Sequence, residues 1–415
     1  MNNNKLLNIV CIGLFLLILI SMHAWFFLWI DNYYLAVFEC LLIAIMFLYY
    51  NKNKKKSSQS NIYTAAAIAL ACVGLLNRSS SIISIIGTFL IVSVMYLLMR
   101  FPTEAKIKIL QFCTKWFSLL LLISVIAWLI HFVYPLPCIG NVHYLDGFIG
   151  ESLNYIFFTQ LPSDIRFKSV FLEPGHISTV ASFFIIANRF DFKNKYVLLL
   201  SLEIIPTFGL AGYMLFIIGY FFYSIERVQV GSFLKRVIPV ALLAGGAAMY
   251  YSSYNGGDNL FNQLILERMT YDEDRFIAGN DRSNDVVDMA FEKALGDGTI
   301  VTGLSKDEYQ HVMNMGSKAA GAKPYMLEHG IIGTLFLFLG YFLISRRSLN
   351  KRWATLLFII YAISFLQRAY FFWAGYYIPY ICGMFIFNAM SKEKELSIRT
   401  IVSSNSYVGN TSFNK

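Results

Sequence analysis

Long apolar runs separated by short polar stretches dominate the chain. The runs lie near 6–25, 33–50, 62–77, 81–99, 116–134, 169–188, 196–208, 209–225, 237–253, 325–345, 353–368 and 370–390. A bilayer core needs about 20 apolar residues per spanning helix, fewer where flanking side chains snorkel, so the pattern predicts about twelve transmembrane helices. The pair 196–208 and 209–225 reads as a tight hairpin around Thr207-Phe208-Gly209, the alternative being one long tilted helix. The expected fold class is all-α: a polytopic membrane protein, 1–415, forming a single integral domain. Two long polar stretches interrupt the runs, a medium loop at 135–168 and a large loop at 254–324. The large loop, about seventy residues, is well above ordinary connection lengths. Within it Val286, Val287, Met289, Ala290, Ala294 and Leu295 recur at helical spacing, predicting a helix over roughly 281–295 that Gly296-Asp297-Gly298 ends.

Composition agrees with the pattern: 57% of the 415 residues are hydrophobic and 14% are charged, more apolar surface than a soluble protein of this length can cover. The formal charge of +9 suggests nucleic acid at first, but its distribution does not. Most basic residues, among them Lys5, Lys54, Arg100, Lys193, Arg346 and Arg347, fall in the short loops, which the positive-inside rule places in the cytoplasm together with both termini. The stretch 100–115 is basic and amphipathic and is expected on the inner membrane surface. Five of the six cysteines lie in apolar runs and only Cys138 looks exposed, so neither a disulfide framework nor a CxxC metal pattern is present. The run 6–25 lacks a small-residue cleavage site and reads as a retained helix. No internal repeat is visible, which counts against transporter folds.

Chemistry concentrates at 166–187, where Glu173-Pro174-Gly175-His176 stands in apolar surroundings. Ionisable groups at membrane depth are costly and mark function. A helix is expected to start at Pro174. Glu173 and His176, three apart, would share a face, and Gly175 would admit close approach of another group. Glu173 is either a base, or the orienter of one, or a plain N-cap; His176 is either a proton acceptor or a packed polar residue. Arg166 and Lys168 precede the turn, and Arg268, Arg275 and Arg282 follow in the large loop as bidentate phosphate ligands or as loop charges paired with nearby acids. A second cluster, Lys323, Glu328 and His329, sits where the large loop re-enters the membrane. Arg368 reads as an interfacial anchor among aromatics, and Glu39 and Glu203 have no evident partners. A lone His-Glu pair is too sparse for a metal site.

The segment R-F-K-S-V-F-L-E-P-G-H (166–176) resembles the "R…G-x-F-x-E-P-G" element of bacterial O-antigen and capsule repeat-unit polymerases (Wzy-type), whose superfamily also holds the O-antigen ligases. D-R-S-N-D-V-V-D-M-A-F-E-K-A-L-G-D-G (281–298) is similar to the loop helix of that family, and K-P-Y-M-L-E-H-G-I-I-G (323–333) to its re-entry segment. The ligase-type "T-x-S-R-G" is replaced here by Pro206-Thr-Phe-Gly-Leu-Ala-Gly212, without Ser or Arg. The resemblance implies a GT-C-like fold and a metal-independent glycosyltransferase without a cofactor. It implies a polyprenyl-pyrophosphate-linked oligosaccharide (undecaprenyl in bacteria) as substrate, in a lipid-accessible groove at the outer face of the cytoplasmic membrane. A chain-length regulator is an expected partner, and nucleic acid is not. In that scheme Arg166, Glu173 and His176 are catalytic, and Arg268, Arg275, Arg282, Lys323, Glu328 and His329 hold pyrophosphate or substrate. The alternatives are a ligase transferring glycan to another acceptor, and a flippase or transporter of the lipid-linked oligosaccharide.

Overall fold

The computed structural model describes residues 2–54, 61–78, 81–142, 152–161, 166–226, 284–315, 321–348 and 350–386, together with parts of 231–267. Arg268, Arg275 and Arg282 lie outside the described residues. The fold is mostly helical. Its helices are α1 (Asn3–Ser21), α2 (Asn32–Lys52), α3 (Asn61–Leu76), α4 (Ile82–Arg100), α5 (Thr103–Val133), α6 (Pro174–Ala187), α7 (Lys195–Glu203), α8 (Leu210–Glu226), α9 (Asp285–Asp297), α10 (Lys306–Met315), α11 (Ala322–Ser345), α12 (Lys351–Gln367) and α13 (Ala374–Ile386). Among the described residues five are long and apolar enough to cross a membrane: α1, α2, α4, α5 and α11. Four more, α3, α6, α8 and α13, are apolar but shorter.

Several boundaries follow from local chemistry. Proline at the first helical position starts α6. Asn284 caps α9 by accepting from Val287 N, and Gly298 at φ +78° ends it, three residues inside the expected start and next to the expected stop. Phe208, left-handed at φ +46°, makes the α7–α8 corner, so the hairpin and not the tilted helix is formed. The corner is tight because α8 lies directly on α6. A Cβ at Gly212 would collide with Ser178, and Ser182 Oγ donates to the Gly212 carbonyl at 2.9 Å.

The basic stretch, from Thr103 on, and the apolar run after it form one element, because no Pro or Gly interrupts 103–133 and one 31-residue helix runs through. Its Lys106 is buried, donating to the Met99 carbonyl at 2.5 Å with its ammonium 3.8 Å from the centre of the Phe385 ring. The bundle itself is mostly helical, in keeping with the all-α class. The medium loop carries a three-stranded antiparallel sheet, β1 (Gly140–Val142), β2 (Ser152–Asn154) and β3 (Thr159–Gln160), with Asn141 opposite Leu153 and Leu153 opposite Gln160. Strands this short leave almost no alternating pattern to read.

The core is one apolar cluster through the bundle. Part of the large loop has a small core of its own, in which Val287, Ala294, Ile300 and Leu304 pack on Leu327 of α11. That layer is clasped to α11 by backbone. Leu304 N donates to the Leu327 carbonyl at 2.7 Å. Gly330, at φ +70°, breaks the helical path of α11, and a Cβ there would lie 2.6 Å from the Val301 carbonyl oxygen.

Candidate functional site

The segment ahead of α6 is fixed from several sides. Phe167 N donates to the Pro206 carbonyl at 3.0 Å, Trp25 N to the Val170 carbonyl at 2.9 Å, and Ser169 Oγ and Ser124 Oγ are 2.7 Å apart. Lys168 is buried and donates to Ser152 Oγ of β2 at 2.6 Å. One of the two cations before the turn therefore ties the turn to the sheet, while Arg166 is partly exposed.

Glu173 occupies the N-cap position of α6, yet its side chain caps no amide. Its Oε2 instead accepts from Arg368 Nη2 at 2.6 Å, 195 positions along the chain. The Arg368 side chain is 1% exposed and that of Glu173 is 23%, so Arg368 is a buried ion-pair partner and not an interfacial anchor. Gly175 makes the approach possible, since a Cβ there would collide with the guanidinium. Nε and Nη1 of Arg368 find no hydrogen-bond partner among the described residues. His176 Nε2 lies 3.8 Å from Glu173 Oε2, as the three-residue spacing predicts. The imidazole is buried edge-on against Trp373 and Tyr370, ring centres 4.8 and 5.5 Å away.

Tyr370 and Trp373 are stacked, with centres 4.1 Å apart and planes 5° from parallel. They sit in the turn between α12 and α13. Tyrosine hydroxyls from the bundle hold this region, Tyr341 donating to the Phe371 carbonyl at 2.6 Å and Tyr361 to the Tyr376 carbonyl at 2.9 Å. Both rings of the stack touch His176, and both also line a cavity of about 260 Å³. Tyr309, Tyr325, Glu328 and His329 also line that cavity.

The re-entry cluster thus shares Tyr370 and Trp373 as neighbours with the first cluster. Glu328 Oε2 lies 3.6 Å from His329 Nε2 and accepts from Tyr309 Oη at 3.1 Å, while Oε1 accepts from Asn77 Nδ2 at 3.3 Å. Burial, and then the neighbouring Glu328, raise the Tyr309 hydroxyl far above the usual phenol range, so it stays a donor. Lys323 is turned away from this group. It pairs with Asp288 of α9 at 2.6 Å and lies over Phe291. Among the described residues no three His, Cys, Asp or Glu side chains converge as a metal site would require.

Sequence reasoning thus picked out Glu173, His176, Glu328 and His329, and the fold brings them together. It did not give Arg368 its role, nor did it find Tyr309 or Asn77. The signal for Arg368 was a lone cation at the end of an apolar run, which an anchor gives equally well. Comparison of the chain with family models, curated proteins and solved structures gives no match.

Proposed function

We propose that this protein polymerises polyprenyl-pyrophosphate-linked oligosaccharide repeat units at the outer face of the cytoplasmic membrane. It would act as a metal-independent glycosyltransferase of the GT-C type, with both termini in the cytoplasm. The observation that carries the reading is a pair of acid–histidine couples, Glu173–His176 and Glu328–His329, that share one aromatic stack as a neighbour. The stack and the second couple line a cavity where the large loop meets apolar helices. The resemblance of 166–176, 281–298 and 323–333 to repeat-unit polymerases adds the choice of substrate.

In the reaction a hydroxyl oxygen of one repeat unit attacks the anomeric carbon of another chain. The bond from that carbon to pyrophosphate breaks, and polyprenyl pyrophosphate leaves with the electron pair. The hydroxyl proton passes to a base. Of the two histidines His329 borders the cavity, and we assign it that role with Glu328 beside it. Glu173 holds Arg368 and the α6 end in place. The negative charge developing on pyrophosphate calls for cations fixed in advance, and Arg166 is the described candidate.

The test is the surface glycan of a strain lacking this protein. A single repeat unit per acceptor is expected, because a separate ligase still transfers unpolymerised units. Absence of any repeat unit at the surface would instead favour a ligase or a flippase.

A further inference from the structure

The cavity beside the Tyr370–Trp373 stack has a chemistry of its own. Its walls include Tyr309, Tyr325, Tyr370, Phe372 and Trp373, and its one carboxylate is Glu328. No Lys or Arg lines it among the described residues. The nearby cations are engaged elsewhere, Lys323 with Asp288 and Arg368 with Glu173. At about 260 Å³ it falls just below the range of about 300–1,000 Å³ that holds drug-sized ligands, which suits one ring and not an oligosaccharide. One polar group in the wall is incompletely used. Glu328 accepts from Tyr309 and Asn77, which leaves lone pairs on a carboxylate that offers about four.

We infer that this cavity is a subsite for one sugar ring of the acceptor chain, neutral or amino-bearing, and that it rejects acidic sugars and phosphate. The inference rests on the polymerase reading above. A pyranose presents apolar C–H groups, which pack on aromatic surfaces, and hydroxyls at its rim, which seek directed partners. Here the aromatic walls take the former, and Glu328 takes the latter. A uronate or phosphate would meet Glu328 with no Lys or Arg among the described lining residues to offset the repulsion, and like-charge juxtaposition in a desolvated site is strongly unfavourable. The leaving pyrophosphate therefore binds outside this cavity, and a ring placed inside brings its hydroxyl towards the Glu328–His329 couple.

The test uses the full chain, purified into lipid nanodiscs, and saturation-transfer NMR with methyl galactoside, N-acetylglucosamine, galactosamine and glucuronate, with inorganic pyrophosphate as competitor. At least one neutral or amino sugar should receive saturation, with glucuronate at least about tenfold weaker, equivalent to about 1.4 kcal/mol. Pyrophosphate should not compete. Met313→Trp, which fills the cavity from α10 and leaves every aromatic wall residue in place, should abolish the signal. Glu328→Gln should narrow the discrimination against glucuronate to under about threefold, by removing the repulsion, and it keeps the inference open to refutation if Met313→Trp does not fold. Equal or better binding of glucuronate, competition by pyrophosphate, binding unchanged in a folded Met313→Trp protein, or no saturation of any neutral or amino sugar would overturn it. Sugar binding by a protein that forms no polymer would sink the polymerase reading and leave the subsite standing. Polymer formed without sugar binding in this cavity would do the reverse.

Discussion

At the scale of single residues the account turns on Glu173 and Arg368. Removing one partner of a buried ion pair strands the other charge, whereas replacing both with apolar groups is far less costly. Glu173→Ala should therefore destabilise the detergent-purified protein by about 3–5 kcal/mol. The double variant Glu173→Ala/Arg368→Met should regain most of that loss. Identical melting of the single and double variants would show that the pair does not hold the α6 end. His329→Ala should lower polymer formation by about 10²–10⁴-fold, the usual effect of losing a general base, at unchanged membrane level. Arg166→Lys should fail nearly as badly as Arg166→Ala, since lysine cannot bind phosphate bidentately. An active Arg166→Lys enzyme would remove that arginine from the pyrophosphate site. Part of this was legible in the sequence. Pro174 sets the helix start, and Gly175 was expected to let another group approach. What approaches could not be read, because the Glu173–Arg368 contact spans 195 positions and nothing local to Arg368 distinguishes a buried partner from an anchor.

At the scale of elements, the clasp between Gly330 and the 301–303 turn fixes the large-loop helices over the cavity. Gly303 and Gly330 both hold positive φ, and a Cβ on either would meet backbone of the other segment. Gly330→Ala should lift α9 and α10 from α11, seen as proteolysis within 284–315 at protease levels that leave the parent chain intact. Unchanged protection would refute the clasp.

The same layer carries a pH signature. Hydrogen bonds, first from the Thr299 side chain and then from its amide, hold Asp297 below the usual carboxylate range. The Ser305 side chain and then its amide do the same for Glu308. A carboxylate lowered in the folded state adds stability that is present above its ordinary value, about 4, and is lost as the pH falls through the lowered one. Hydrogen exchange at the Thr299 and Ser305 amides should therefore show protection that is constant from neutral pH down to about 4 and falls below it. Asp297→Asn and Glu308→Gln should flatten that fall. Helix α9 was readable because its apolar positions repeat over three turns and Gly298 closes it. Helix α10 was missed, being short and mostly polar. The continuity of α5 was missed because a basic stretch was given more weight than the absence of any helix breaker.

At the scale of the whole molecule, hydropathy located the apolar helices: among the described residues five are long enough to cross a bilayer and four more are apolar but shorter. Orientation rests on charge asymmetry. In a background without the native cysteines, single cysteines at Lys193 and Arg347 should be labelled only from the cytoplasm, and one at Asp285 only from outside. Labelling of Asp285 from the cytoplasm would invert the arrangement and place the cavity on the wrong side for a lipid-linked substrate presented outside. The residues lining the cavity where we propose a sugar ring binds come from α10, α11 and the α12–α13 turn. Their convergence is a property of the fold that no window of the sequence displays.

The central claim, glycan polymerisation from a lipid pyrophosphate, is tested most directly by reconstitution. The purified protein in liposomes is given a polyprenyl-pyrophosphate-linked repeat unit and no other protein, and the products are resolved by size. The account predicts a ladder of glycans still attached to lipid, with one polyprenyl pyrophosphate released for each linkage formed, and no ladder with His329→Ala. Substrate that stays monomeric with no polyprenyl pyrophosphate released, or that merely crosses the bilayer unchanged, would contradict it.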